Sequence, residues 1–372
     1  MAPFILNPPP QTLLARHRQL APTAAVRVSP VCFIVGNFGE GAHSKSNAFA
    51  LLDGFYSKGG NFFHTPFWKA EPAEWLGAWM VQRKNRDELV LSAGYSNNWK
   101  RHDKHALPSN YGGNSMKSMR LSLEQTLSKL QTTYLDIYCV SFWDGTTTIP
   151  ESMHGLNDLV MAGKVLYLGI CETPAWVVAK ANEYARQKGL RQFAVYLGQW
   201  SAAERDMERD IVPMCQAEGM AICSYGSTDV CKPRLKQHSK RPKATDYAQR
   251  HTDVSEALAA VAKAKGITAR QTELAYIMGK APYVFGRIPF ATIKELDGII
   301  AGLSVTLSEE AVSHIESAYD FDFGFPHSAL SGTRYTGEKS KGADHPANNE
   351  YLKALGAFDW VGKLKAIGHK GK

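Results

Sequence analysis

Three side chains that can move protons lie at or just beyond the ends of apolar segments of the chain. His64 follows two phenylalanines in FFHT, Tyr95 ends LSAGY, and Ser141 follows DIYCV. An imidazole titrates near neutral pH, and a phenol or hydroxyl beside it can share its hydrogen bond. The pattern predicts an acid-base site with His64 as general acid or base and Tyr95 or Ser141 as its partner. The sequence leaves open the alternative that His64 only fills volume.

A second group of residues suits a planar substrate. Trp68 and Trp143 predict an aromatic wall, because indole rings bury large areas against flat ligands. Lys69 has the amine that a Schiff base requires, although a solvated loop lysine is the more common explanation for such a residue. The predicted substrate contacts are Trp68, Lys69, Trp143, Leu197 and Tyr225.

These side chains need a scaffold, and the chain alternates between strand-like and helix-like segments. Helical patterns separate eight apolar runs, which are Pro30–Gly36, Asn61–Thr65, Glu88–Tyr95, Tyr134–Phe142, Val165–Cys171, Gln192–Tyr196, Met220–Tyr225 and Tyr283–Ile288. Eight such units predict an α/β fold, a parallel (β/α)8 barrel, rather than an open sheet. In such a barrel the reactive groups lie at the carboxyl ends of the strands, an end that we call the mouth. We therefore expect the candidate residues to lie together there.

The length of 372 residues and the 44% apolar content fit one large domain. We divide the chain into a Pro-rich N-terminal extension (residues 1–27), the barrel (28–326) and a basic C-terminal tail (327–372).

Charge and cysteine content limit the possible partners. Part of the net charge of +8 is concentrated in Lys232–Arg250 and in the tail, without the aromatic residues of a nucleic-acid motif, so we expect no nucleic-acid partner. The six cysteines show no zinc spacing, which predicts no metal and a reducing compartment. The sequence has no signal peptide and no membrane-spanning apolar run. We therefore expect a cytoplasmic protein, and the oligomeric state stays open.

Several long motifs resemble the aldo-keto reductases, specifically the fungal aryl-alcohol dehydrogenase and norsolorinic-acid reductase branch. They include GGNF, TPAWVVAKANEYAR, WSAAERDMERDIVPMCQAEGM and FDFGFP, and the resemblance covers about residues 28–326. It implies an aldo-keto reductase barrel. In such relatives NADPH donates a hydride to a carbonyl, a Tyr supported by Lys and Asp donates the proton, and a His orients the substrate.

This sequence departs from the family pattern at each catalytic position. His64 stands at the Asp position, Gly94 at the Lys position and Ser141 at the His position, and the residues Phe67 to Lys69 include no Tyr. The resemblance therefore predicts that the catalytic tetrad is replaced.

The family positions that contact the cofactor also differ. Leu197 replaces a Gln, Ile299 replaces an Asn or Gln, Pro289 and Phe290 replace a Gly pair, and Ala291 and Thr292 replace Arg and Lys. Remnants of the cofactor site are Tyr225, at the position that stacks on nicotinamide, and Glu172, at a position that contacts its carboxamide.

We therefore predict a non-redox biosynthetic enzyme on an aldo-keto reductase scaffold, a pseudo-reductase that requires no cofactor. The expected reaction is dehydration, cyclisation or isomerisation of an aromatic or polyketide-like intermediate of fungal secondary metabolism. One alternative is an NADPH-dependent reductase with a rearranged site, and another is a non-catalytic binding or scaffold protein.

Overall fold

The structure is a computed structural model that describes residues 8–36, 38, 44–65, 71–101, 103–226, 244–333, 348–356, 359 and 366. Its strands in chain order are β1 (Arg18–Ala21), β2 (Ala24–Val28), β3 (Val31–Ile34), β4 (Phe62–Thr65), β5 (Val90–Tyr95), β6 (Leu135–Val140), β7 (Val165–Cys171), β8 (Phe193–Gln199), β9 (Ala221–Tyr225) and β10 (Val284–Ile288). Strands β3 to β10 close into a parallel barrel in the order β10-β3-β4-β5-β6-β7-β8-β9. The predicted (β/α)8 barrel is confirmed.

Helices follow the barrel strands and cover the outside of the barrel. They are α1 (Lys45–Ser57), α2 (Glu71–Arg83), α3 (Met116–Leu130), α4 (Ile149–Met161), α5 (Ala175–Lys188), α6 (Ile211–Ala217), α7 (Ala244–Lys265), α8 (Ala269–Lys280), α9 (Ile293–Gly302), α10 (Glu309–Glu316), α11 (His327–Leu330) and α12 (Glu350–Lys353). Helices α3, α4 and α9 are among those that begin at side-chain caps, where Ser115, Thr148 and Thr292 each accept a hydrogen bond from a first-turn amide. These caps fix where the loops of the mouth end.

Two apolar layers follow from the alternation of side chains along the strands. Side chains that face the helices form the larger core, whereas the barrel interior is filled by a second cluster that includes Cys32, Phe62, Val90, Ile137, Cys139, Leu197, Cys223 and Phe285. The interior is a packed core rather than a pore, so chemistry is confined to the mouth.

A β-hairpin precedes the barrel and was not predicted. Strands β1 and β2 pair antiparallel, with Arg18 opposite Val28. Leu20, Ala21 and Ala24 of the hairpin are buried in the same cluster as the barrel interior. The hairpin therefore covers one end of the interior instead of leading into the barrel as an extended segment.

The basic segment Lys232–Arg250 was predicted to be a loose loop. Residues 227–243 lie outside the described residues, but α7 begins at Ala244 and continues to Lys265. The end of the basic segment is therefore helical.

Candidate active site at the carboxyl ends of the strands

His64 lies on β4 and is buried beside β5. Only 4% of the residue is exposed, and its Nδ1 atom lies 3.1 Å from Oγ of Ser92. Burial lowers the pKa of His64 well below its ordinary value of 6.5, and the positive charge of Arg287 lowers it further. His64 is therefore a neutral imidazole at physiological pH, and the expectation that it titrates near neutrality is wrong.

Tyr95 ends β5, but its side chain lies outside the barrel wall. Its ring stacks on Tyr138 of β6 at 5.2 Å between centroids, within the core that faces the helices. The side chain is fully buried, and its hydroxyl has no hydrogen-bond partner in the described part of the chain. The prediction that Tyr95 partners His64 at the mouth is therefore wrong. Ser92 takes that place because it lies on the opposite side of β5 from Tyr95.

Ser141 follows β6 directly and is buried. Its backbone N–H is 3.3 Å from Oγ of Ser96 and donates a hydrogen bond to it. Ser141 lies two residues after Cys139, whose side chain belongs to the interior cluster, so the strand alternation directs Ser141 toward the mouth. The structure thus places Ser141 and His64 at the same end of the barrel.

Two loops of the mouth are joined by an exchange of hydrogen bonds between Asn114 and Asp144. The Asn114 backbone N–H donates to Oδ2 of Asp144 over 2.7 Å, and the Asp144 N–H donates to Oδ1 of Asn114 over 2.7 Å. Nδ2 of Asn114 also donates to Ser96 and to the Phe142 carbonyl. This clamp fixes the segment that carries Trp143, which is half-buried.

The ends of β7, β8 and β9 carry three further predicted residues. Leu197 is buried in the barrel interior, and Tyr225 is the last residue of β9. Glu172 follows β7 with an exposed side chain and a positive φ of 45°. Trp68 and Lys69, together with Phe67, lie outside the described residues, so their predicted roles stay predictions.

A cation within the barrel was missed by the sequence analysis. Arg287 lies two residues after the inward-facing Phe285 on β10, so both side chains lie on the same face of the strand. The guanidinium carbon of Arg287 is 5.1 Å from the centroid of the Tyr225 ring. Its charge acts on His64 and on the Cys223 thiol, so the group faces several strands. Within the described ranges, its Nε atom is buried without a hydrogen-bond partner. The available signal was a charged residue at an inward-facing position of an apolar run.

The junction between β10 and α9 is packed against neighbouring elements. Phe290 is 6% exposed and stacks on Phe33 at 3.9 Å between ring centroids, so it is part of the core. Arg270 of α8 donates a hydrogen bond to the Pro289 carbonyl and forms an ion pair with Glu295. A neighbouring helix therefore supplies a cation that the loop itself lacks, and the sequence analysis missed it because the contact is tertiary.

A cleft with an empty volume of about 390 Å³ lies between β9, β10 and α8. It is lined by Arg270 and Arg287, and each has a buried Nε atom without a partner among the described residues. Tyr225 and Trp200 also line it. The cleft therefore combines aromatic surface with unsatisfied positive groups, which suits a ligand with planar and anionic parts.

In the described part of the chain, no three His, Cys, Asp or Glu residues are arranged to hold a metal ion. No helix in that part is long and apolar enough to span a membrane.

Comparison with known proteins identifies the class. Residues 34–320 match the Aldo/keto reductase family, and the chain belongs to that family. It is 46% identical over 371 residues to norsolorinic acid reductase B of Dothistroma septosporum, covering 96% of this chain and 95% of the relative. It is also 46% identical to norsolorinic acid reductase B of Aspergillus parasiticus, covering 95% and 97%. The aryl-alcohol dehydrogenase [NADP(+)] of Phanerodontia chrysosporium is 40% identical, covering 86% and 90%.

These relatives confirm the family resemblance and correct the predicted chemistry. They are named reductases and dehydrogenases, so the prediction of a non-redox dehydratase, cyclase or isomerase is wrong. The prediction that no cofactor is required is contradicted as well, because one relative carries NADP+ in its name. The sequence reasoning did not consider Arg270 and Arg287, which line the cleft beside the loop after β10.

Proposed function

We propose that the protein is an NADP(H)-dependent oxidoreductase that interconverts a carbonyl and an alcohol on a small aromatic or polyketide-like molecule of fungal secondary metabolism. The observation that carries the proposal is the cleft beside β9 and β10, which is lined by two arginines with unsatisfied Nε atoms and by the aromatic ring of Tyr225. The names of the relatives and their fungal sources support the reaction class and the substrate class.

The residues of the cleft fit a dinucleotide. Arg270 lies beside the amino end of α9, where the first backbone N–H groups of the helix add partial positive charge. Arg270 would hold a phosphate of the cofactor there, and Tyr225 would lie against its nicotinamide ring. When bound, the dinucleotide supplies the hydride equivalent that a carbonyl carbon accepts.

The substrate end of the proposed site is formed by His64, Ser141 and Trp143. His64 is neutral and its Nδ1 atom contacts Ser92, so Nε2 is the ring nitrogen that would hydrogen-bond the substrate oxygen and orient it. Ser141 would offer a hydroxyl to the same oxygen, and Trp143 would contribute to an aromatic wall. Trp68 and Lys69 remain proposed contacts of the substrate.

The replacement of the catalytic tetrad stays a prediction, and it makes this a reductase with a rearranged site. Gly94 on β5 offers no side chain where the family resemblance expects Lys. Positive charge at the mouth comes instead from Arg287 on β10. The proposal therefore keeps the reaction of the family while the charged groups that support it come from other strands.

Binding and turnover test the proposal. NADPH and NADH are titrated by the change in nicotinamide fluorescence, and consumption of the reduced cofactor is followed with aromatic aldehydes and with norsolorinic acid, which the relatives' names specify. Arg270→Gln removes a charge-assisted contact and is expected to weaken NADPH binding at least about tenfold. Arg120→Gln, the same change at an exposed site on α3, is expected to have no effect. If neither dinucleotide binds and neither is consumed, the proposed function is refuted.

We also propose a cellular compartment and a division of the chain into three parts. We propose a reducing compartment, the cytoplasm, because the cysteines of the described part are free thiols, namely Cys32, Cys139, Cys171, Cys215 and Cys223. We keep the division into residues 1–27, 28–326 and 327–372, and the family match over residues 34–320 falls within the barrel range.

A further inference from the structure

We infer that Arg287 is the substrate-recognition residue of the site and that it binds an ionised oxygen, a carboxylate or phenolate, carried by an aromatic substrate. The inference rests on the proposed function, because it assigns one of the two arginines of the cleft to the substrate instead of the cofactor. It predicts that the preferred substrates are aromatic acids or acidic phenols rather than neutral aromatic carbonyl compounds.

The first argument is the position of the Arg287 side chain. Residue 287 pairs with Cys32 of β3 and lies on the inward-facing side of β10. Its charge acts on His64 of β4, Cys139 of β6 and Cys223 of β9. A group that influences three other strands lies toward the barrel axis, where a substrate in the mouth would meet it.

The second argument is charge balance. No carboxylate in the described part of the chain forms an ion pair with Arg287, and its Nε atom has no hydrogen-bond partner there. Its one aromatic contact among those residues is the Tyr225 ring at 5.1 Å. A sheltered cation without a counter-charge is costly, and an anionic oxygen from a ligand would offset that cost.

The neighbours of Arg287 cannot provide the missing negative charge. Burial and the charge of Arg287 keep His64 neutral. Burial raises the pKa of Cys139 to about 11 and that of Cys223 to about 12, so both thiols stay protonated at neutral pH. His64, Cys139 and Cys223 therefore carry no charge that balances Arg287, and the carboxylate of Glu273, which lines the same cleft, forms no ion pair with Arg287 among the described residues.

The third argument separates Arg287 from Arg270. Arg270 belongs to α8, outside the barrel wall, and is already held by the Pro289 carbonyl and Glu295. Arg287 belongs to the inner face of β10 and has no such restraint in the described residues. The two cations therefore serve different ligands: Arg270, beside the amino end of α9, would meet the dinucleotide, and Arg287 faces the interior of the mouth.

The experiment uses benzoate and 2-naphthoate as anionic probes and the matching amides, benzamide and 2-naphthamide, as neutral probes. Their affinities are measured at neutral pH by calorimetry for the wild-type protein and for Arg287→Met, Arg287→Lys and Arg270→Gln. NADPH affinity is measured for each protein, and inorganic phosphate is titrated to detect nonspecific anion binding. Circular dichroism establishes that each variant is folded.

We expect the wild-type protein to prefer each carboxylate over its amide by at least about tenfold. Arg287→Met removes that preference, Arg287→Lys retains part of it, and neither change alters the NADPH affinity by more than about threefold. Arg270→Gln gives the reverse pattern, with weakened NADPH binding and unchanged probe binding.

The inference is overturned if the wild-type protein does not distinguish carboxylate from amide, a result that needs no variant. It is also overturned if Arg287→Met weakens NADPH and leaves the probes unaffected, because Arg287 would then be a phosphate ligand. If the probes bind through Arg287 and no dinucleotide binds, the anion site is supported while the proposed redox function fails.

Discussion

Tyr95→Phe tests whether the hydroxyl of Tyr95 takes part in the site. The change keeps the ring and its stacking on Tyr138, and it deletes only a buried hydroxyl without a partner among the described residues. A buried unsatisfied polar group costs about 1–3 kcal/mol, so its removal is expected to leave the free energy of unfolding unchanged or to raise it by up to about 1 kcal/mol.

Tyr138→Phe is the matched control, because the Tyr138 hydroxyl donates to the Met119 carbonyl over 2.8 Å. Loss of that bond is expected to lower the free energy of unfolding by about 1 kcal/mol. Urea denaturation at constant m-value measures the difference, which we expect to be about 1–2 kcal/mol in favour of Tyr95→Phe.

The activity of Tyr95→Phe decides the functional part of the argument. We expect kcat/KM within about twofold of the wild-type value, because the hydroxyl lies outside the barrel wall and a loss of only about 0.4 kcal/mol would correspond to that change. A loss of tenfold or more, or a stability loss larger than that of Tyr138→Phe, would refute the placement of Tyr95 in the outer core.

Three further variants probe the site and its support. Asn114→Ala removes three side-chain hydrogen bonds and is expected to lower the free energy of unfolding, measured by urea denaturation, by about 3 kcal/mol. The control Asn110→Ala, at an exposed position, is expected to lower it by less than about 0.5 kcal/mol. Equal effects of the two changes would show that the Asn114–Asp144 contact does not hold the loops. The pKa of His64 is lowered in the folded protein, so its contribution to the free energy of unfolding is present above pH 6.5 and is lost as the pH falls below that value, by about 1.4 kcal/mol per pH unit. His64→Gln should abolish this loss. Parallel profiles of unfolding free energy against pH for the wild type and the variant would contradict the prediction. Phe290→Gly places a glycine where the family resemblance expects one and removes the stacking of Phe290 on Phe33. It should lower the free energy of unfolding by about 3–5 kcal/mol, which thermal melts detect as a lower melting temperature. An unchanged melting temperature would show that Phe290 is not a core residue.

The barrel was predictable because its strands are short apolar runs separated by helical patterns, and local sequence carries that signal. The hairpin β1–β2 was not, because its strands have a mixed burial pattern instead of a continuous apolar run. Their partner is the barrel interior, and that contact leaves no periodic trace in the sequence.

Part of the site was predictable by strand alternation. Gly94 was assigned to the mouth, and its neighbour Tyr95 must then face the opposite side of β5, as the structure has it. Arg287 also carried a signal, since a charged residue at an inward-facing position of a buried strand requires an explanation. Arg270 carried none, because its role depends on the packing of α8 against the loop that contains Pro289.

The hairpin at one end of the barrel has a consequence for the order of events in the site. Leu20, Ala21 and Ala24 fill the space beneath the interior side chains, and the interior itself is tightly packed with apolar and sulfur-containing groups. Within the described core, water therefore cannot reach His64 and Arg287 from the end of the barrel that the hairpin covers. For the proposed function, substrate entry, product departure and proton exchange would then use the same end of the described barrel, and a bound aromatic ring there would shield His64 and Arg287 from solvent.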